Sequence, residues 1–274
     1  MPRMISPTAD RRAAVVRELE ARWAIVVEEP WETPGGSGAW IAPARRADGG
    51  RAVLKLAAPH WEADHEIAGL RFWEGDPTVR LLEADEELSA LLLERCEPGT
   101  VLRTRPEESQ DEVIAGLLRR LWRTPSEPHV FRPLSEMTAR WSEETLEHVS
   151  RWPDEGLVRA GLDLFRELPA SAPHQALLAT DLHAGNVLRA ERAPWLVIDP
   201  KPFVGDPAYD ATQHLFNCLE RMTGDPNGTI DRLAALLGVD AERVRLWTFA
   251  RAAAEPREEW RPCRRFDLAR SLRP

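Results

Sequence analysis

A short polar segment, ATDLHAGNVL at residues 179–188, constrains the fold more than any other part of the chain. It places an Asp, a His and an Asn on one turn, an apolar pair follows directly, and the apolar run WLVIDP begins at residue 195. Helical segments are predicted on both sides, so the segment indicates a short strand–loop–strand element inserted between helices. Such an element is a natural place for an active site, and a solvated hairpin is the alternative interpretation.

The remaining sequence predicts an α+β fold with two unequal lobes. Apolar runs bounded by Gly- and Pro-containing turns predict an opening helix and five strands, at 9–22 and at 23–29, 39–44, 51–57, 78–84 and 88–95, with a further helix at 60–75. Later segments are helical, at 108–123, 134–151, 155–168 and again from residue 207. We therefore expect a small β-rich N-terminal lobe over residues 1–95 and a larger, mainly helical C-terminal lobe over residues 96–274.

Composition excludes several classes of protein. The 274 residues include 43% apolar and 30% charged side chains, which is typical of a folded protein and not of a disordered one. The net charge of −9 argues against a nucleic-acid partner and is compatible with a cationic small molecule. No apolar run is long enough to predict a membrane span. The three cysteines, Cys96, Cys218 and Cys263, are too far apart for a metal knuckle, and they favour a reduced, cytoplasmic location.

Lysine is nearly absent from the chain. Lys55 and Lys201 are the two lysines among 36 basic residues, and the rest are arginines. A lysine that persists in such a chain suggests a need for a compact ammonium instead of a broad, planar guanidinium, with chance survival as the alternative.

Three polar side chains can converge on one point of the predicted cleft. Asp181 and Asn186 share a turn, and Asp199 ends the next predicted strand. Oxygen ligands of this kind suit Mg²⁺, and a neighbouring carboxylate can accept a hydroxyl proton. Together with a lysine that neutralises phosphate, this set matches the template for phosphoryl transfer.

The N-terminal lobe can supply the phosphate-binding groups. Lys55 lies in the middle of a predicted strand, and an acid on the following helix can pair with it. We favour Glu66, with Glu62 as the alternative one turn earlier on the same face. The segment GGSG at 35–38, which contains Ser37, lies between the first two sheet strands where a phosphate-covering hairpin belongs. It lacks the GxGxxG spacing, so a plain turn is the alternative.

The long motif DLHAGNVL followed by WLVIDPKPFVGDPAYDATQHLFN resembles the signature of the streptomycin 6-kinase and hydroxyurea phosphotransferase family. Members of this family are bacterial antibiotic-modifying enzymes, similar to aminoglycoside phosphotransferases, with a protein-kinase-like fold. The resemblance extends to ADGGRAVLKL, to GLRFWEGDPTVRLLEADEELSALLLERCEPGT and to LWTFARAAAE, and so covers most of residues 36–254.

The resemblance implies an enzyme that uses ATP and Mg²⁺ to phosphorylate a hydroxyl of a small-molecule antibiotic, with streptomycin or a related aminoglycoside first. A kinase of another metabolite or of hydroxyurea, a non-catalytic kinase-fold binding protein and a metal-dependent hydrolase are the alternatives. The implied roles are these: Asp181 as catalytic base, Asn186 and Asp199 as Mg²⁺ ligands, Lys55 on the ATP phosphates, Glu94 and Cys96 in an adenine-binding hinge, and His183, Asp206 and Asp210 as supports of the loop. Related kinases often carry a His two residues before the catalytic Asp, where this chain has Ala179.

The predicted acceptor site includes the segment that follows LWTFARAAA. Glu255, Glu259 and Trp260 are the predicted substrate contacts, because clustered carboxylates would attract a polycationic ligand. An ordinary solvated helix end is the alternative, since Arg257 and Arg261 interrupt the cluster.

Overall fold

A five-stranded antiparallel sheet forms the first lobe of the computed structural model, which describes residues 9–31, 38–58, 60–257, 259–260 and 263–274. The strands are β1 (Ile25–Val27), β2 (Trp40–Arg46), β3 (Arg51–Leu56), β4 (Leu81–Asp85) and β5 (Ala90–Glu94), in the order β1-β2-β3-β5-β4. Helix α1 (Ala9–Trp23) precedes the sheet and contributes Leu19 to its core. Lys55 lies on the central strand β3, between Ile41 of β2 and Leu91 of β5.

The helix predicted at 60–75 is divided into two parts. A 3₁₀ turn covers Trp61–Ala63, and helix α2 covers Glu66–Trp73. Helix α2 ends because Glu74 takes a left-handed conformation (φ 51°) and its N–H donates to the Leu70 carbonyl. The prediction that Glu62 and Glu66 share one helix face is therefore wrong, and their side chains go to different partners.

The second lobe is mainly helical, as predicted. Its helices are α3 (Glu107–Leu121), α4 (Leu134–Leu146), α5 (Glu155–Ala170), α6 (Pro207–Asn217), α7 (Leu219–Gly224), α8 (Pro226–Leu237), α9 (Ala241–Ala254) and α10 (Arg264–Leu272). Four of these helices begin at an Asp whose carboxylate accepts a backbone N–H of the first turn: Asp154, Asp206, Asp225 and Asp240. Within the described part of the chain, none of the helices combines the length and apolar character that crossing a bilayer requires.

Two short strand pairs position the polar loop between the lobes. Strands β6 (Ala176–Leu178) and β9 (Phe203–Gly205) pair on the helical side, and β7 (Val187–Leu188) pairs with β8 (Leu196–Val197). Backbone hydrogen bonds tie β8 to the first lobe, from Val79 N to Val197 O (3.0 Å) and from Val197 N to Pro77 O (3.0 Å). The loop is therefore anchored to both lobes at once.

Helices α5 and α9 pack closely against each other at Gly161. Gly161 of α5 lies directly against α9, and a Cβ added there would be 2.8 Å from the Ala254 Cβ and 3.1 Å from the Ala250 carbonyl oxygen. Gly116, in the middle of α3, has nothing within 4 Å of an added Cβ. Gly161 and Gly116 thus offer a matched pair of substitutions, one at a packed position and one at an open position.

We expect Gly161→Ala to lower the free energy of unfolding by about 1–2 kcal/mol, because overpacking outweighs the gain in helix propensity. Gly116→Ala should raise it by about 0.5–1 kcal/mol, since only the propensity changes. Urea unfolding followed by circular dichroism measures both values. Equal effects of the two substitutions would show that α5 and α9 are not packed as described.

Candidate active site

Lys55 makes a buried ion cluster with two carboxylates. Its Nζ donates to both oxygens of Glu66, at 2.7 Å each, and to Asp199 Oδ1 at 2.5 Å. Burial by itself lowers the pKa of Lys55, but Glu66 and Asp199 together raise that pKa above its ordinary value, so the ammonium is charged at neutral pH. Glu66, favoured over Glu62 from the sequence, is the acid of α2 that reaches Lys55.

Asn186 and Asp199 present oxygen atoms on neighbouring strand ends. The Asn186 Nδ2 donates to the Asp181 carbonyl (3.0 Å), which leaves its Oδ1 without a hydrogen bond among the described residues. Ile198 N donates to Asn186 O (3.0 Å), and Asp199 follows with φ at 53°. An amide oxygen and a carboxylate on paired strand ends are the types of ligand that a hard divalent cation such as Mg²⁺ takes.

Asp181 is held at both of its carboxylate oxygens. Lys201 Nζ donates to Oδ2 at 2.5 Å, and Gln213 Nε2 donates to Oδ1 at 2.6 Å. Burial lowers the pKa of Lys201, but the adjacent Asp181 carboxylate raises it to a net value above the ordinary one. Neither Lys201 nor Gln213 was assigned a role from the sequence. The scarcity of lysine was the available signal for Lys201, whereas Gln213 carried none.

A buried carboxylate braces the turn that carries Asp181. Asp210 on α6 accepts hydrogen bonds from Ala179 N (3.1 Å), Thr180 N (2.8 Å) and Trp122 Nε1 (2.9 Å). Thr180 has φ at 46°, an unfavourable conformation that these hydrogen bonds maintain. Burial raises the pKa of Asp210 to about 6, although the three donors act in the opposite direction.

The main chain supports the loop at the position where related kinases often carry His. Ala179 is fully buried, its N–H donates to Asp210, and its carbonyl accepts from Asp181 N (2.7 Å) and Lys201 N (2.9 Å). His183 caps the turn that follows, since its Nδ1 accepts from Gly185 N at 2.9 Å. Burial lowers the pKa of His183, which favours a neutral imidazole.

The two ends of α6 are anchored by buried ionic contacts. At its start, the Asp206 Oδ2 accepts from Trp247 Nε1 (2.6 Å) and Arg243 Nε (2.5 Å). Near its end, His214 Nε2 lies 2.9 Å from Asp111 Oδ1, and Asp111 also pairs with Arg221 and Arg232. Asp111, His214 and Cys218 are close enough to share a metal, but the two guanidiniums already neutralise the carboxylate. These contacts fix the helix that carries Asp210 and Gln213.

The predicted hinge lies where β5 leaves the first lobe. The Glu94 carboxylate accepts from Arg192 Nε (2.9 Å) and from Arg80 N (3.0 Å), so its side chain braces the segment. Cys96 packs among apolar residues between the lobes, and burial raises the pKa of its thiol to about 11. Nucleotide binding by this segment stays a prediction. The predicted Ser37 lies outside the described residues.

A cavity of about 330 Å³ opens beside Asp181. Its walls come from both lobes: His60, Trp61, Glu62, Met137, Trp141, Glu144, Thr180, Asp181, Lys201, Tyr209, Gln213, Arg251, Glu255, Pro256 and Arg265. The buried Arg251 donates to Oε1 of Gln213 (3.0 Å), the residue that holds Asp181, and to Glu255 Oε2 (3.2 Å). It was not predicted from the sequence.

The predicted substrate contacts require correction. Glu255 lines the cavity, but Arg251 and Arg265 both donate to its Oε2 at 3.2 Å, so its charge is already neutralised. Trp260 is 8% exposed and packs against Trp152 and Phe266 in the core instead of the cavity wall. Glu259 is exposed and is not among the residues that line the cavity. Glu255 and Glu259, the two described carboxylates near the helix end, therefore do not form the expected cation-attracting cluster.

The raised pKa of Asp210 gives a test of the bracing contact. An acid with a higher pKa in the folded chain stabilises that chain most at low pH, and this contribution is lost as pH rises through the folded pKa. For Asp210, whose pKa moves from 3.8 to about 6, the loss falls between roughly pH 4 and pH 6. Asp210→Asn is neutral throughout, so its free energy of unfolding should rise relative to the parent across that window.

Chemical unfolding at several pH values measures this difference. Asp231→Asn, which removes a carboxylate from an exposed position of α8, is the control for the loss of a charged side chain outside the site. A difference for Asp210→Asn that stays constant from pH 4 to pH 7 would contradict the assigned environment of Asp210.

Comparison with known proteins identifies the family. The model for the aminoglycoside/hydroxyurea antibiotic resistance kinases matches residues 22–257. A hydroxyurea phosphotransferase from Kitasatospora aureofaciens is 39% identical over 241 residues, which cover 86% of this chain and 69% of that protein. A streptomycin 6-kinase from Streptomyces griseus is 38% identical over 250 residues, which cover 87% of this chain and 80% of that protein.

The fold has solved counterparts among kinases of small molecules. Choline kinase LicA from Streptococcus pneumoniae aligns with 96% of this chain and 98% of its own, with a TM-score of 0.69 at 14% sequence identity. A LicA structure in complex with AMP aligns with a TM-score of 0.66 at 13% identity, over 94% of this chain and 96% of its own. The predicted two-lobed, kinase-like architecture is confirmed, and the chain belongs to the aminoglycoside/hydroxyurea antibiotic resistance kinase family.

Proposed function

We propose that the protein transfers the γ-phosphoryl group of ATP to a hydroxyl of a small-molecule antibiotic, with streptomycin as the first candidate. Family membership supports the reaction class, since curated relatives are named for the phosphorylation of streptomycin and of hydroxyurea. The observation that carries the proposal is the placement of the two lysines. Lys55 contacts Asp199, Lys201 contacts Asp181, and a short segment of chain brings both pairs together.

The Lys55 side of the site would bind the nucleotide. Glu66 orients the Lys55 ammonium, which would contact the phosphates of ATP. Asn186 Oδ1 and the Asp199 carboxylate would hold Mg²⁺, which neutralises negative charge on the phosphate oxygens when bound. Val53 of β3 and Ile198 contribute half-buried apolar surface between the lobes, where adenine would lie against the hinge.

The Asp181 side of the site would bind the acceptor. The hydroxyl oxygen of the acceptor would form a bond to the γ-phosphorus of ATP, and the bond from that phosphorus to the β–γ bridging oxygen would break. ADP leaves with the electron pair, and the hydroxyl proton passes to Asp181. Each Asp181 oxygen already accepts one hydrogen bond from the protein, and we infer that the acceptor hydroxyl replaces one of these two donors. We assign the displaced donor as Lys201, whose flexible ammonium can then stabilise the transferring phosphoryl group.

Gln213 would keep Asp181 oriented during this exchange. Its Nε2 holds Asp181 Oδ1, and its own oxygen accepts from the buried Arg251. Arg251 is fixed in turn by the Thr212 hydroxyl at 2.6 Å and by Glu255. The base therefore has one rigid partner and one mobile partner.

Streptomycin should gain one phosphoryl group when incubated with the protein, ATP and Mg²⁺. Asp181→Asn should lower kcat by about a hundredfold or more, since the group acts on the acceptor hydroxyl, and should leave nucleotide affinity nearly unchanged. Mass spectrometry of the drug and single-turnover transfer from labelled ATP measure these effects.

Titration calorimetry with an ATP analogue that cannot be hydrolysed controls for loss of folding or of nucleotide binding in the variant. An Asp181→Asn protein with near-parental kcat would remove Asp181 from the mechanism. If hydroxyurea or a neutral sugar is phosphorylated and streptomycin and other cationic antibiotics are not, the acceptor class is wrong and the kinase assignment stands.

A further inference from the structure

Among the described residues, the wall of the cavity beside Asp181 carries one more acidic than basic side chain. Its carboxylates belong to Glu62, Glu144, Asp181 and Glu255, and its three basic groups to Lys201, Arg251 and Arg265. His60 is the remaining titratable group on the wall with a side chain that could carry positive charge. The position of the unmatched negative charge decides which part of a ligand the cavity favours.

Three of the four carboxylates already have cationic partners. Asp181 pairs with Lys201, and Glu255 pairs with both Arg251 and Arg265. Glu144 Oε1 accepts from Arg140 Nε at 3.0 Å, on the same helix. Each of these charges is neutralised within the protein.

Glu62 is the exception among the described residues of the wall. No Lys, Arg or His of the described chain lies within ion-pair distance of its carboxylate, and its one hydrogen bond comes from Trp141 Nε1, at 3.1 Å to Oε1. The side chain is half-buried, so part of its hydration has been replaced by a single neutral donor. Its second oxygen, Oε2, accepts no hydrogen bond from any described residue.

The surface around Glu62 already accommodates a guanidinium belonging to the protein. Trp61 immediately precedes Glu62 in the sequence, and the Arg140 guanidinium carbon lies 4.3 Å from the centre of the Trp61 ring. Indole faces attract planar cations, and Glu62, which lines the same cavity as Trp61, offers a directional acceptor. The Arg140 charge is matched by Glu144, so it does not neutralise Glu62.

We propose that Glu62 is the residue through which the acceptor site recognises a guanidinium or ammonium group of its substrate. This inference rests on the proposed function. It relocates cation recognition from the end of α9 to the 3₁₀ turn before α2. A bound cation would occupy Glu62 Oε2 while Trp141 keeps Oε1 in place, and the hydroxyl to be phosphorylated would lie at Asp181, on the same cavity wall. Glu62 thereby selects cationic acceptors over neutral ones of similar reactivity.

The test compares one cationic and one neutral acceptor, streptomycin and hydroxyurea, in the parent and in Glu62→Gln. Glutamine keeps the length of the side chain and an oxygen for Trp141, and removes only the charge. We expect kcat/KM for streptomycin to fall about tenfold to a hundredfold, mainly through KM, because a charged hydrogen bond is lost. The kcat/KM for hydroxyurea should stay within about twofold of the parent value, since a neutral ligand lacks that contact.

Glu143→Gln is the matched control, because Glu143 is an exposed acid on α4 and does not line the cavity. It should leave both acceptors unaffected. A second readout is the salt dependence of KM for streptomycin, which should be weaker in Glu62→Gln than in the parent. Thermal melting of each variant confirms that the chain is folded.

The outcomes separate the two proposals. If the parent phosphorylates streptomycin and Glu62→Gln does so with an unchanged KM, recognition by Glu62 is overturned and the proposed function stands. If the parent phosphorylates no antibiotic, the proposed function fails, and calorimetric binding of streptomycin to the parent and to Glu62→Gln decides the role of Glu62. Equal binding by the two proteins would overturn it, and weaker binding by Glu62→Gln would support it.

Discussion

The ion pair between Lys201 and Asp181 is the contact on which the acceptor side of the site depends. It joins two residues that are twenty positions apart in the sequence, and the intervening chain forms the capping turn, the β7–β8 pair and the Asp199 turn. The same contact places the Lys201 ammonium in the cleft, in addition to the ammonium of Lys55. A chain that otherwise uses arginine keeps its two lysines at these two carboxylate sites. Compact, mobile ammonium groups suit both positions, because in the proposed reaction each would exchange a carboxylate for a phosphoryl oxygen.

Rigid surroundings complement these mobile groups. Asp210 holds the backbone of the Ala179–Thr180 turn, and Asp206 and Asp111 fix the two ends of the helix that carries it. Gln213 lies one turn beyond Asp210 on α6, so the contacts that fix the helix also fix the position of Gln213. In the proposed reaction Asp181 stays fixed while Lys201 moves, and α6 supplies the fixed contact through Gln213.

The sequence predicts the cluster around Lys55 well and the contacts of Asp181 poorly. Lys55 is predicted from the strand pattern, Glu66 from the helix pattern and Asp199 from the long motif. The pairing of β6 with β9 is not predictable, since three-residue strands show no periodicity. Gln213 and Arg251 contact the site only through tertiary packing of α6 and α9, which no local spacing reveals. Glu255 was expected to attract a ligand because its partners Arg251 and Arg265 could not be inferred from the sequence.

The measurement that tests this account most directly is the steady-state kinetics of Lys201→Arg with streptomycin as acceptor. A guanidinium keeps the charge but can grip both oxygens of Asp181 as a fork, so it should compete with Gln213 and with the acceptor hydroxyl. We expect kcat to fall by on the order of tenfold or more while KM for ATP changes little. Arg71→Lys, a charge-conserving change at an exposed ion pair with Glu86, should have no effect. A Lys201→Arg protein with parental kcat would contradict the central role assigned to a mobile ammonium beside Asp181.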